Sequence, residues 1–208
     1  MNQIEKVYFI NLDDRRDRLD HINNELERLG INKNKIVRVP GVKHIDPIKG
    51  LALAQLNVLN LFKESKLENV IILEDDFKLT ISINEFNEIL EHIWKNKHAW
   101  DMINLAPSDI IVNDIRDKYF YRCKRSWCTG ALIIKREFID EVKYVYEKTL
   151  KTGKPIDHTL NELMEDNNIL VPRNRIAKQI DGYSDIWLKN FNWTEELKGC
   201  MGAVNLEK

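Results

Sequence analysis

The chain of 208 residues carries 32 basic and 33 acidic side chains, a formal net charge of -1, so no broad positive field argues for a nucleic-acid partner or an anionic membrane, and any anionic ligand has to be held locally. The start, MNQIEKVYFINLDD, has no basic region followed by a long apolar run, and no stretch approaches the roughly 20 apolar residues that span a bilayer. The chain therefore reads as cytoplasmic, without a membrane span and with its oligomeric state open. Cys123, Cys128 and Cys200 are too few and too irregularly spaced for a zinc site or a disulfide framework, and read as inert thiols.

Lys6 to Leu12 is a continuous apolar run rich in β-branched and aromatic residues, which predicts a strand buried on both faces. From Asp14 to Leu29, Leu19, Ile22, Leu26 and Leu29 recur at helical spacing and Gly30 stands where a left-handed residue would end the helix. Ile36 to Val39 predicts a short strand closed by Pro40-Gly41, Lys49 to Ser65 a helix, and Glu68 to Leu73 a third strand that delivers Glu74-Asp75-Asp76 at its C-terminal end. Ser82 to Glu85 has the form of a capping box, with Phe86, Ile89, Leu90, Ile93 and Trp94 along one face of the helix it starts. Trp100 to Leu105, Tyr119 to Cys123 and Thr129 to Lys135 read as strands, followed by a helix carrying Phe138, Ile139, Val142, Val145 and Tyr146 and another over Asp157 to Asp166. From about residue 173 the pattern weakens to a loop-rich tail with Tyr183, Trp187, Phe191 and Trp193, expected to fold back over a single domain spanning 1–208. Alternating strands and helices predict an α/β fold, a mostly parallel central sheet flanked by helices, with ligands outside the C-terminal strand ends.

Three successive carboxylates after an apolar strand repel one another unless a cation offsets their charge. A hard divalent ion, Mn2+ or Mg2+, held by one or two carboxylates and completed by water and diphosphate oxygens, is one solution; simple capping of the next segment is the other. Strand alternation sets Glu74 and Asp76 in one direction with Asp75 opposed. Asp76 is then the direct metal ligand, with Glu74 ligating or acting through water. The first turn, Asn11-Leu12-Asp13-Asp14-Arg15-Arg16-Asp17-Arg18, brings a strand end, a helix N-terminus and three arginines to the same rim. Arg15 and Arg18 lie three apart, so both can reach one diphosphate, and Asn11 can contact a base or ribose; a solvated, salt-bridged turn is the plainer alternative.

In this order the motifs resemble those of glycosyltransferase family 25, the group that includes bacterial lipooligosaccharide galactosyltransferases and collagen galactosyltransferases. The matching pieces are Ile10-Asn11-Leu12-Asp13 with Arg15, Asp17 and Arg18; Arg38-Val39-Pro40-Gly41-Val42; Ile71 to Asp76; Trp100-Asp101; Thr129-Gly130-Ala131; Pro155-Ile156-Asp157; and Gln179 with Gly182 and Ser184-Asp185-Ile186. The resemblance implies a GT-A-like fold, a UDP-sugar donor, usually UDP-galactose or UDP-glucose, a divalent metal, and inversion at the anomeric carbon. It also implies that Asp157 is the base and Asp185 an acceptor or metal partner, with the two roles exchangeable, and it assigns Asn11, Leu12, Arg15, Arg18, Glu74 and Asp75 to the donor. Asp101 and Ser184, and Trp127 by stacking on a sugar ring, are candidate contacts for the acceptor, a glycan or a glycosylated protein. Capping by Asp101 or Asp157, a turn role for Asp185 and a core or cover role for Trp127 are the structural alternatives.

Where the family usually has Gly-Cys-x-x-Ser-His, this chain has Gly50-Leu51-Ala52-Leu53-Ala54-Gln55. That departure motivates a second reading, a homologue impaired in catalysis that binds sugar nucleotides. A third is a metal-dependent nucleotidyltransferase or phosphohydrolase, since strand-end carboxylates serve there too.

Overall fold

The computed structural model describes residues 4–186, 188–192 and 205–206. Trp187, Trp193 and Cys200 lie outside them. The apolar runs become strands buried on both sides: β1 (Val7–Asn11) and β3 (Asn69–Glu74) pair in parallel, and β2 (Ile36–Pro40) lies along the other edge of β1. Alternation sorts their side chains into two cores. Tyr8, Ile10, Val70 and Ile72 face one side, while Val7, Phe9, Ile71 and Leu73 face the other. Each such side chain contributes about 1.5–3 kcal/mol on burial.

Helices cover both cores. α1 (Arg16–Arg28) and α3 (Ile83–Lys95) close one side through Ile22, Leu26, Phe86 and Ile89. α2 (Pro47–Glu64), α4 (Ile139–Thr152) and α5 (Ile156–Met164) close the other through Val58, Phe62, Val142, Tyr146 and Leu160. Gly30, at φ +67, ends α1 as its position predicts. Ser82 Oγ accepts from the Glu85 amide at 3.2 Å at the start of α3. α2 begins two residues earlier than its apolar pattern suggests, because Asp46 caps Ile48 and Pro47 occupies the first turn. α1 begins later, at Arg16, because the Arg15 amide closes a turn onto the Leu12 carbonyl.

Among the described residues the remaining strands complete a nine-stranded sheet and two separate strand pairs. β4 is Phe77–Leu79, β5 Met102–Asn104, β6 Ser108–Ile115, β7 Phe120–Trp127, β8 Ala131–Lys135 and β9 Ile169–Pro172; β10 (Ala177–Gln179), β11 (Gly182–Ser184), β12 (Lys189–Phe191) and β13 (Asn205–Leu206) follow. The sheet order is β13-β6-β7-β9-β5-β8-β3-β1-β2. Strands β1, β2, β3, β5 and β9 run one way, and β8 and β7 run against them, so the sheet is mostly parallel with antiparallel insertions. The stretch from residue 173 is not simply loop. β10 folds back antiparallel onto β4, with Gln179 opposite Phe77, and β11 and β12 form a separate hairpin.

Candidate functional site

Because Ile10 pairs with Glu74, the next residues of the two strands, Asn11 and Asp75, emerge side by side. Asn11 is fully buried and spends its side chain on structure: Nδ2 donates to Asp75 Oδ2 at 2.8 Å and to the Arg15 carbonyl at 3.0 Å, and Oδ1 accepts from Arg38 Nε at 3.1 Å. The alternation that opposed Asp75 to Asp76 does not hold. The strand ends at Glu74 and the pair sits in the turn into β4, where Arg18 Nη1 lies 3.1 Å from Asp75 Oδ1 and 3.1 Å from Asp76 Oδ2. Gln179 Nε2 approaches the same Asp76 oxygen at 3.4 Å, and the Ile180 amide donates to the Asp76 carbonyl at 2.8 Å.

Above this turn opens a cleft of about 670 Å3. Asn11, Leu12, Arg15, Arg18, Glu74, Asp75 and Asp76 line it, as do Ser184 and Asp185 from the hairpin. A further wall is the segment 41–47 with the first turns of α2, including Gly50, Leu51 and Ala54. Gly50 makes that wall: a Cβ there would stand 2.4 Å from the Val42 carbonyl oxygen. An alanine at this helical position gains about 1 kcal/mol in propensity over glycine, yet backbone overlap of this size outweighs it. Gly50→Ala is expected to lower stability by about 1–3 kcal/mol, read from urea unfolding. A gain in stability would mean that the wall yields freely.

Burial governs the carboxylates. It pushes Asp76 up to about 6, with Arg18 opposing and Asp75 adding to the shift. It also raises Glu74 well above the usual carboxylate range, helped by Asp76, Asp75 and Asp157, and raises Asp75 against the pull of Arg18. Asp76 Oδ1 is buried without a hydrogen-bond partner. Such an oxygen calls for a proton or a cation, so the site fits a divalent ion bound through one or two carboxylates. Among the described residues no group of three or more His, Cys, Asp or Glu side chains is arranged to hold a metal by itself, and the remaining ligands would come from water and phosphate.

Asp157 does not cap α5: Pro155 holds that position, and Asp157 lies within the first turn. Burial pushes its carboxyl up to about 6 although the Cys128 amide donates to it. It stands within electrostatic reach of Glu74 and outside the residues that line the cleft. Cys128 holds a left-handed backbone, φ +62, a conformation that costs a non-glycine residue about 1–2 kcal/mol. Burial pushes the thiols of Cys123 and Cys128 up to about 12, which keeps them protonated. Tyr146, wholly buried, has a hydroxyl without a partner and feels both Glu74 and Asp157.

Two expected acceptor residues lie elsewhere. Asp101 precedes β5, at the opposite end of the strands from Glu74, where Oδ2 accepts from the Asn168 amide at 2.8 Å. It caps β9 there. Trp127 stands edge-on to His158, ring centres 6.2 Å apart, outside the residues that line the cleft. Arg38, Lys43 and Gln179 were not assigned roles from sequence; Arg38 and Gln179 belong to matched motifs, whereas Lys43, paired with Asp14 at 2.6 Å, carries no local signal.

No protein-family model matches the chain, and no curated protein matches its sequence. Among solved structures, it is similar to a glycosyltransferase involved in glycosylation of the major capsid of PBCV-1, at 10% identity and TM-score 0.57, over 86% of this chain and 93% of that one. A mannose-1-phosphate geranyltransferase from Thermus thermophilus follows at 10% identity and TM-score 0.48, covering 82% and 73%. An apo UDP-glucose pyrophosphorylase shows 15% identity and TM-score 0.48, covering 84% and 74%. The likeness to the PBCV-1 glycosyltransferase and the mostly parallel sheet flanked by helices make the fold GT-A-like. Among the described residues no helix is long and apolar enough to cross a membrane.

Proposed function

We propose that this chain is an inverting glycosyltransferase of the family 25 type, moving galactose or glucose from a UDP-sugar to a hydroxyl of a glycan or protein acceptor. One observation carries the reading. Arg15 and Arg18 share a single cleft, at the C-terminal ends of β1 and β3, with the buried carboxylates Asp75 and Asp76. Its volume of about 670 Å3 is in the range of nucleotide-sized ligand sites. Arginine pairs near a helix start suit a diphosphate, and Asp76 with Glu74 suits Mn2+ or Mg2+. When bound, the ion offsets charge on the leaving diphosphate.

In the transfer, the acceptor oxygen bonds to the anomeric carbon as the carbon–oxygen bond to UDP breaks, and the hydroxyl proton passes to a base. Asp157 is the preferred base, with Asp185 as acceptor or metal partner. Leu12, Val42, Ile45, Leu51 and Ala54 supply the apolar lining of the cleft suited to the nucleoside. The test is a panel of UDP-sugars with Mn2+, scored by melting-temperature shift and by UDP release. Metal-dependent stabilisation by one UDP-hexose with slow donor hydrolysis is expected. Stabilisation without hydrolysis or transfer would indicate an impaired binding homologue, consistent with Ala54-Gln55. Release of pyrophosphate from a sugar phosphate and UTP would indicate a nucleotidyltransferase.

A further inference from the structure

Both arginines on which the diphosphate reading rests are already engaged, and partly by the hairpin some 170 residues away. Arg15 Nη1 donates to Asp185 Oδ2 at 2.8 Å, while Nε and Nη2 donate to Asp17 at 3.0 and 2.9 Å. Arg18 Nη2 donates to the Tyr183 carbonyl at 2.8 Å. The two partners of Arg15 differ in kind. Asp17 sits two residues away on α1, whereas Asp185 comes from the turn between β11 and β12, and its side chain is 42% exposed against 18% for Arg15.

We propose that Asp185 is an internal anion, holding on Arg15 the place that a ligand phosphate takes, so that diphosphate binding displaces it and frees the hairpin from the start of α1. None of the described hairpin residues is buried, and besides the Arg15 contact the hairpin has the Arg18 bond to Tyr183. Among the described strands β11 pairs only with β12, and the turn exposes Leu188 by 71% and Ile186 by 38%. The partly exposed pair is a single charge-assisted bond of small net worth, whereas a diphosphate brings more charge and several acceptor oxygens within reach of both arginines, so the exchange favours the ligand. Lys43, which also lines the cleft and pairs with Asp14, feels Asp185 and offers the displaced carboxylate a second cation. The identity of the phosphate as part of a UDP-sugar rests on the proposed function; the anion exchange does not.

The experiment is calorimetric titration of the full chain with inorganic pyrophosphate in EDTA, for wild type, Asp185→Asn and Arg15→Ala, joined to hydrogen exchange over residues 182–191. Asp185→Asn is expected to bind pyrophosphate about 2- to 5-fold tighter, and Arg15→Ala to lose binding. Hairpin amides are expected to exchange faster once wild type binds pyrophosphate, and to be fast from the outset in Asp185→Asn. Equal or weaker binding by Asp185→Asn, slower hairpin exchange on binding, or no pyrophosphate binding by any form would overturn the proposal. If pyrophosphate gives the expected pattern and UDP-sugars do not bind, the internal anion stands and the nucleotide-sugar reading falls.

Discussion

Asp76→Asn is expected to abolish divalent-ion-dependent binding of UDP and to reduce sugar transfer by about 10²–10³-fold or more, the scale seen when one charge-stabilising group is removed from an active site. Asp76 is 4% exposed, its Oδ1 has no hydrogen-bond partner, and burial pushes it up to about 6. Asparagine keeps the shape and a carbonyl oxygen but removes the charge a hard cation needs. The same change relieves repulsion with Asp75 and Glu74, and Arg18 retains Asp75. The variant is therefore expected to melt no lower than wild type in EDTA and to lose the rise in melting temperature that Mn2+ with UDP gives wild type. Calorimetry with Mn2+ and UDP checks the binding directly. Unchanged Mn2+-dependent UDP affinity would remove Asp76 from the metal site.

The separation of legible from illegible features follows the range of the interactions. β1 and β3 were readable because strands buried on both faces must be apolar without interruption, and Gly30 because a left-handed helix end has a local preference. β6 was not, because Asp109, Asn113 and Asp114 interrupt its apolar residues and three register shifts break its pairing with β7. Nothing local tells that β8 returns antiparallel between β3 and β5, a choice made by long-range packing. At the site, the rim holding Asn11, Arg15, Arg18 and Asp76 followed from two strand ends. The pleat rule failed one residue past Glu74, where the strand gives way to a turn and a single guanidinium gathers Asp75 and Asp76. Asp101 failed for a related reason: a matched motif places a residue on a strand without saying which end of the sheet it occupies.

Asp157→Asn is expected to lower the turnover rate by about 10²–10⁴-fold while raising stability above neutral pH, an opposition that separates a base from a structural residue. Burial pushes the native carboxyl up to about 6, against an ordinary value of 3.8. Below about pH 4 folded and unfolded chains both carry the proton, so the substitution changes little. Between pH 4 and 6 the unfolded chain ionises first, and this carboxyl's contribution to stability falls as pH rises. Above pH 6 its full cost is present, about 2–3 kcal/mol for a shift of roughly two units. Asparagine removes that cost and still accepts from the Cys128 amide, so urea unfolding at pH 8 should show a gain of that order that vanishes at pH 4. Donor affinity should be kept, because Asp157 lies outside the residues lining the cleft. A stability gain with turnover within threefold of wild type would transfer the base role to Asp185, the carboxylate that diphosphate binding is proposed to release from Arg15.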